Sequence, residues 1–134
     1  MKNLLLTLIV ISFCACGNKD SITKNAFIGT WHLVSMNDTT ANKGVIIYSP
    51  DGQMSAILSK NDSMVIGYSG KYEINSKESF VTHFRDFYSI LPYPRPTEVP
   101  IYVRDFSFSK DFKTLTLRPR ENKGLALIWK KVSN

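Results

Sequence analysis

Two cysteines and two histidines are all that this chain offers to thiol or imidazole chemistry. Cys14 and Cys16 stand one residue apart, too close for a bridge of ordinary disulfide geometry. A zinc corner needs two to four residues between its thiolates and further ligands elsewhere; the spacing is wrong, and only His32 and His83 exist to help. No Ser-His-acid motif, metal spacing or cofactor motif is present, so no catalytic set, metal site or cofactor is expected. Long apolar runs are missing too. The uncharged block Leu4 to Phe13 is about ten residues, against the roughly 20 that a membrane-crossing helix requires. Beyond Gly29 no segment sustains helical periodicity.

What is present begins with a seam. Met1-Lys2-Asn3 and the apolar block have the proportions of an export signal, and the chain then changes abruptly to Gly17-Asn18-Lys19-Asp20-Ser21, which is polar and unable to pack. Cys16, preceded by small Ala15, sits on that seam; Cys14, preceded by bulky Phe13, does not fit a cleavage site. The arrangement resembles the lipobox of bacterial lipoproteins, in which the cysteine becomes the acylated first residue of the mature chain. The resemblance implies a signal peptide over 1–15, a lipidated terminus and tether over 16–26, and a domain over 27–134. It also implies attachment to the bilayer of a bacterial cell envelope through acylated Cys16, with Gly17 favouring the outer membrane. Acyl chains contribute about 0.8 kcal/mol per buried CH₂, so no spanning helix is needed.

Removal of 1–15 takes away only Lys2 and moves the formal charge from +6 to +5. The basic residues are scattered, with small clusters at Arg118/Arg120/Lys123 and Lys130/Lys131. No nucleic-acid motif accompanies them, and no nucleic-acid partner is expected.

Ser21 to Ile28 reads as a brief helical turn with Ser21 as N-cap. From Gly29 onward, short runs rich in β-branched and aromatic residues recur between turn signals. They predict strands over Gly29–Asn37, Val45–Tyr48, Gln53–Ser59, Met64–Ile74, Glu78–Tyr88, Val99–Ser109, Phe112–Arg118 and Lys123–Val132. Ser49-Pro50-Asp51-Gly52 is a hairpin turn, because Pro50 presets φ and Gly52 accepts a positive one. Ser89 to Glu98 carries three alternating prolines and is expected to be a stiff loop, with Pro92–Pro100 as a surface for a protein partner. Eight strands with short connections make an antiparallel meander, and closing it removes both edges. The expected fold class is all-β, an eight-stranded up-and-down barrel.

Gly29-Thr30-Trp31, Ile47 to Ala56, Tyr68 to Glu73, Val81-Thr82-His83, Val103 to Phe106, Leu115-Thr116-Leu117 and Leu127 to Val132 follow one another in an order similar to that of bacterial lipocalin-like domain proteins. The likeness covers nearly all of Phe27 to Val132. It implies barrel closure by Gly29, Trp31 and Trp129. It lapses at Lys130/Lys131, where the family often has arginine. Lysine lacks the planar fork for stacking, so Trp31 is expected to plug the barrel by packing alone.

Period-two alternation turns Tyr68, Tyr72 and Ile74 inward on one strand, and Tyr102, Arg104, Phe106 and Phe108 on another, with Asp105 and Ser107 outward. On the fifth strand Val81, His83 and Arg85 share a face, inward or outward. With His83 inward, His83, Arg104 and the phenols of Tyr68, Tyr72 or Tyr102 form a polar cluster in an apolar cup. Such a cup suits a small amphipathic, possibly anionic ligand, its tail against Leu33, Ile47, Met54 and Phe106. An eight-stranded barrel either holds one small ligand or is filled by its own side chains. Three functions stand open: ligand binding, a filled barrel acting through its surface in envelope assembly, and an isomerase- or cyclase-like enzyme.

Overall fold

The computed structural model describes residues 19–40, 42–60, 64–91 and 101–132. Eight strands follow in order: β1 (Gly29–Met36), β2 (Lys43–Tyr48), β3 (Gln53–Lys60), β4 (Met64–Asn75), β5 (Phe80–Leu91), β6 (Ile101–Phe108), β7 (Thr114–Pro119) and β8 (Leu127–Lys131). Each pairs antiparallel with the next, and β8 returns to β1, so the sheet is a closed barrel. The expected signal segment, Cys14, Cys16 and the expected partner surface over Pro92–Pro100 lie outside the described residues.

The expected turn forms as its residues dictate. The Ser49 amide donates to the Gln53 carbonyl across it, the Gly52 amide donates to the Ser49 carbonyl, the Ser49 hydroxyl donates to Asp51, and Gly52 takes φ +84°. The β6–β7 turn repeats the device, with the Ser109 hydroxyl donating to Asp111 at 2.6 Å.

Four expectations are corrected. Strand β5 runs to Leu91, so Ser89 to Leu91 are strand rather than loop, paired with Val65 to Gly67 of β4. Residues 19–27 form a helix, α1, in which Ser21 is an interior residue rather than the N-cap. Ile47 points outward, half exposed, because Ile46 and Tyr48 take the inward parity of β2. Trp31 does more than pack, as the end of α1 shows.

The last carbonyls of a helix have no partner within it. Here the Trp31 indole donates to the Phe27 carbonyl at 2.8 Å, and Lys131 Nζ donates to the Ala26 carbonyl at 2.9 Å. The ammonium also lies 5.1 Å from the Trp31 ring centroid, and a cation at a helix C-terminus is favourable in its own right. Gly29 makes room for this crossing: its φ is +131°, and a Cβ there would stand 3.0 Å from Lys131 Cε. Phe27, fully buried, then inserts among Tyr48, Phe106 and Phe108, each edge-on at about 5 Å. Together with Trp31 and Trp129, both buried, it fills this end of the barrel.

One irregularity shapes the other half. Ser69 pairs with Phe87 but Gly70 pairs with Arg85, leaving Asp86 as an extra residue in β5. A β-bulge of this kind inverts the parity beyond it. Val81, His83 and Arg85 point inward, Phe87 is turned out to solvent, and Tyr88 faces in beside Tyr68. The bulge brings backbones so close that a Cβ on Gly70 would lie 1.9 Å from the Phe84 carbonyl oxygen.

Candidate functional site

The registers of β4, β5 and β6 stack the inward side chains. Tyr72 pairs with His83 and His83 with Tyr102, while Val81 pairs with Arg104 one step toward the α1 end. His83 is wholly buried and Arg104 nearly so. Arg104 Nη1 donates to His83 Nδ1 at 2.8 Å, and His83 Nε2 lies 2.9 Å from the Tyr48 hydroxyl.

Chemistry fixes the proton positions. A guanidinium only donates, so Nδ1 must accept and the proton of a neutral imidazole sits on Nε2, donated to Tyr48. Burial holds His83 well below its usual range, and the charges of Arg104 and Arg85 add to that. Burial pushes the Tyr48 phenol well up, with Tyr68 adding to the shift and Arg104 opposing it. Tyr68 is raised for the same first reason, against the pull of Arg104. At neutral pH the chain is therefore phenol, neutral imidazole, guanidinium.

Tyr102 lies between two cations. Arg85 Cζ sits 3.7 Å from its ring centroid and 4.2 Å from that of Tyr88, and Arg104 Cζ lies 4.5 Å from Tyr102. Cation–π contact of this kind replaces part of the water that a buried guanidinium loses. No carboxylate among the described residues lies within ion-pairing distance of Arg104.

A cavity of about 220 Å³ opens against this cluster, toward the end of the barrel away from α1. Tyr68, Tyr102 and Arg104 supply its polar side, while Met36, Leu58, Ile66, Leu125 and Leu127 make an apolar wall. Glu121 and Asn122 border it from the β7–β8 connection. His83 and Tyr48 do not line it; they hold Arg104 from behind.

The structure thus gathers Tyr68, Tyr102, Arg104 and His83, four of the residues singled out from sequence. Tyr72 stands apart, its hydroxyl donating to the Ser49 carbonyl at 2.8 Å and its ring against Tyr48. Phe106 packs on Phe27 at the filled end. The expected tail contacts also move: Met54 is core, Leu33 packs beside it, Ile47 faces solvent, and none of them lines the cavity. Sequence reasoning missed Tyr48 and Arg85. Correct parity in β2 would have found the first; the second shares a face with His83.

No protein family model matches the chain, and no curated protein matches it either.

Proposed function

We propose that this chain is an envelope-anchored, lipocalin-like lipoprotein that binds a small amphipathic anion in the cup above Arg104. An eight-stranded closed barrel fits a lipocalin-like binding fold. The observation that carries the reading is Arg104 itself: a buried guanidinium, held by a neutral histidine, facing a largely apolar cavity with no described carboxylate within ion-pairing distance. A buried charge is costly unless paired and hydrogen-bonded, and a ligand carboxylate supplies both. The apolar wall takes the tail. The anchor rests on the seam at Cys16, and the outer membrane on Gly17.

A specific observation also favours the runner-up, a barrel acting through its surface. The α1 half is filled by Phe27, Trp31 and Trp129, and the remaining cavity is smaller than the roughly 300 to 1,000 Å³ of drug-sized pockets. The space limits any guest to a short chain or a compact ring.

Native mass spectrometry of the chain from Asn18 onward, purified gently from bacterial cells, decides between them. An extra mass that disappears after denaturation and refolding supports an occupied cup and gives its class. No bound mass, together with no uptake of medium-chain carboxylates, sinks the ligand reading. An acyl adduct on Cys16 of the full chain tests the anchor separately.

A further inference from the structure

The outer surface of the barrel is not uniform. One cross-strand row of outward residues reads Thr30, Ile47, Ser55, Ser69 and Phe87 across β1 to β5. The next reads His32, Val45, Ile57, Gly67 and Ser89. Neither row contains an acid, a lysine or an arginine. Ile57 is 58% exposed, Phe87 52%, Ile47 44% and neighbouring Val65 39%. A Cβ on Gly67 would meet nothing within 4 Å, so the centre of this flank is flat and open. The β6–β8 flank differs: Asp105 stands opposite Arg118, Thr114 opposite Lys130, and Arg120 bonds Asp105.

We infer that the β2–β5 flank lies on the surface of the bilayer to which the chain is anchored. This rests on the proposed acylation of Cys16. The first argument is length. Only residues 17 and 18 separate the acylated position from Lys19 of α1, a reach of roughly 10 Å even fully extended. The second is where that leash ends. Ser76, directly after β4, donates its hydroxyl to Asp20 near the start of α1, so the anchor leaves the barrel at the β4–β5 turn, at one end of the strands that carry the uncharged rows. The third is charge. Lys71 borders the first row and Lys77 lies beside the leash, with Glu73 between them, and the two lysines suit anionic headgroups beside an apolar contact. Lipid anchoring is firm when a second signal adds to the acyl chains, and a shallow apolar face with flanking lysines is such a signal.

The test uses the full, processed chain in vesicles of phosphatidylethanolamine and phosphatidylglycerol carrying brominated acyl chains. Because acylation consumes the Cys16 thiol, Ile57→Cys, Phe87→Cys and Thr116→Cys each offer one site for an environment-sensitive dye. The expected result is blue-shifted emission and strong bromine quenching at 57 and 87, with Thr116→Cys, on the opposite flank, emitting as in water. Protein that floats with the vesicles while 57 and 87 stay unquenched, or all three sites quenched alike, overturns the orientation and leaves the anchor standing. Unacylated Cys16 and protein that does not float overturn both. Disulfide formation between two copies of unlabelled Phe87→Cys in detergent, without lipid, assigns the flank to a second copy of the chain and overturns the bilayer.

Discussion

Arg104 and His83 are joined by a hydrogen bond of 2.8 Å that fixes each in the only state compatible with the other. The guanidinium must donate, so the imidazole must stay neutral, and the neutral imidazole can pass its Nε2 proton only to Tyr48. The bond aims the cation at the cavity. It also makes the site sensitive to any change that charges His83 or shortens Arg104.

Arg104→Met keeps much of the side-chain volume and removes the charge. Affinity for a medium-chain carboxylate should fall at least tenfold, a loss of about 1.4 kcal/mol in binding. Stability should change by no more than about 1 kcal/mol, because relief of a desolvated charge offsets the unsatisfied His83 acceptor. Isothermal titration and urea unfolding measure the two quantities. A large stability loss with unchanged ligand uptake would mean that Arg104 is a core residue and the cup is not a site.

Acid should weaken the fold through His83. Its folded pKa is depressed, while in the unfolded chain it returns to about 6.5. Between those values the unfolded state binds more protons, so the contribution is complete above about pH 6.5 and is lost as pH falls, at up to about 1.4 kcal/mol per pH unit. Asp51 and Asp111, lowered by the hydroxyls of Ser49 and Ser109, act only at more acid pH. Urea midpoints from pH 8 to 5 should therefore slope in wild type and flatten in His83→Phe. Parallel slopes would remove His83 from the account.

The C-terminal end of α1 depends on two side chains 100 positions apart. Trp31→Phe deletes the indole donor to the Phe27 carbonyl and should cost about 1 to 2 kcal/mol. Lys131→Met deletes the ammonium at the Ala26 carbonyl and should cost about 1 kcal/mol. Each should raise amide hydrogen exchange in residues 19–27 more than in β4 or β5. Uniform exchange would show that α1 opens only with the whole barrel.

The strands were legible because period-two alternation and turn chemistry are local. Val45 to Ile57 with the Ser49-Pro50-Asp51-Gly52 turn needed no partner to be read as a hairpin. The site was legible in part. Arg104 on an aromatic stripe reports its own inward face, whereas the inward face of β5 is set by the Asp86 bulge against Gly70, a pairing that no property of either segment alone announces. Ile47 was misplaced because Val45-Ile46-Ile47-Tyr48 is apolar throughout and carries no parity. The capping of α1 by Trp31 and Lys131 was hidden for a different reason: it joins the two ends of the domain, and only barrel closure brings them together.

Two glycines offer the sharpest test of that bulge, because they separate backbone strain from crowding. Gly52 has φ +84° and open space around its α-carbon, so Gly52→Ala should cost about 1 kcal/mol from the left-handed backbone alone. Gly70 has φ +156° and would drive its new methyl to 1.9 Å from the Phe84 carbonyl oxygen, with the Asp86 amide nitrogen at 2.8 Å. No flexible side chain stands there to yield, so the β4–β5 backbones must part, and the pairing that turns Arg85 and Tyr88 inward is lost with them. Gly70→Ala should thus destabilise by several kcal/mol, at the upper end of what single substitutions do. Near-ultraviolet circular dichroism would show the loss of tyrosine packing around Arg85 and Tyr102. Equal effects of the two substitutions would mean that β4 and β5 pair without the bulge, and that the inward face of β5 has to be assigned afresh.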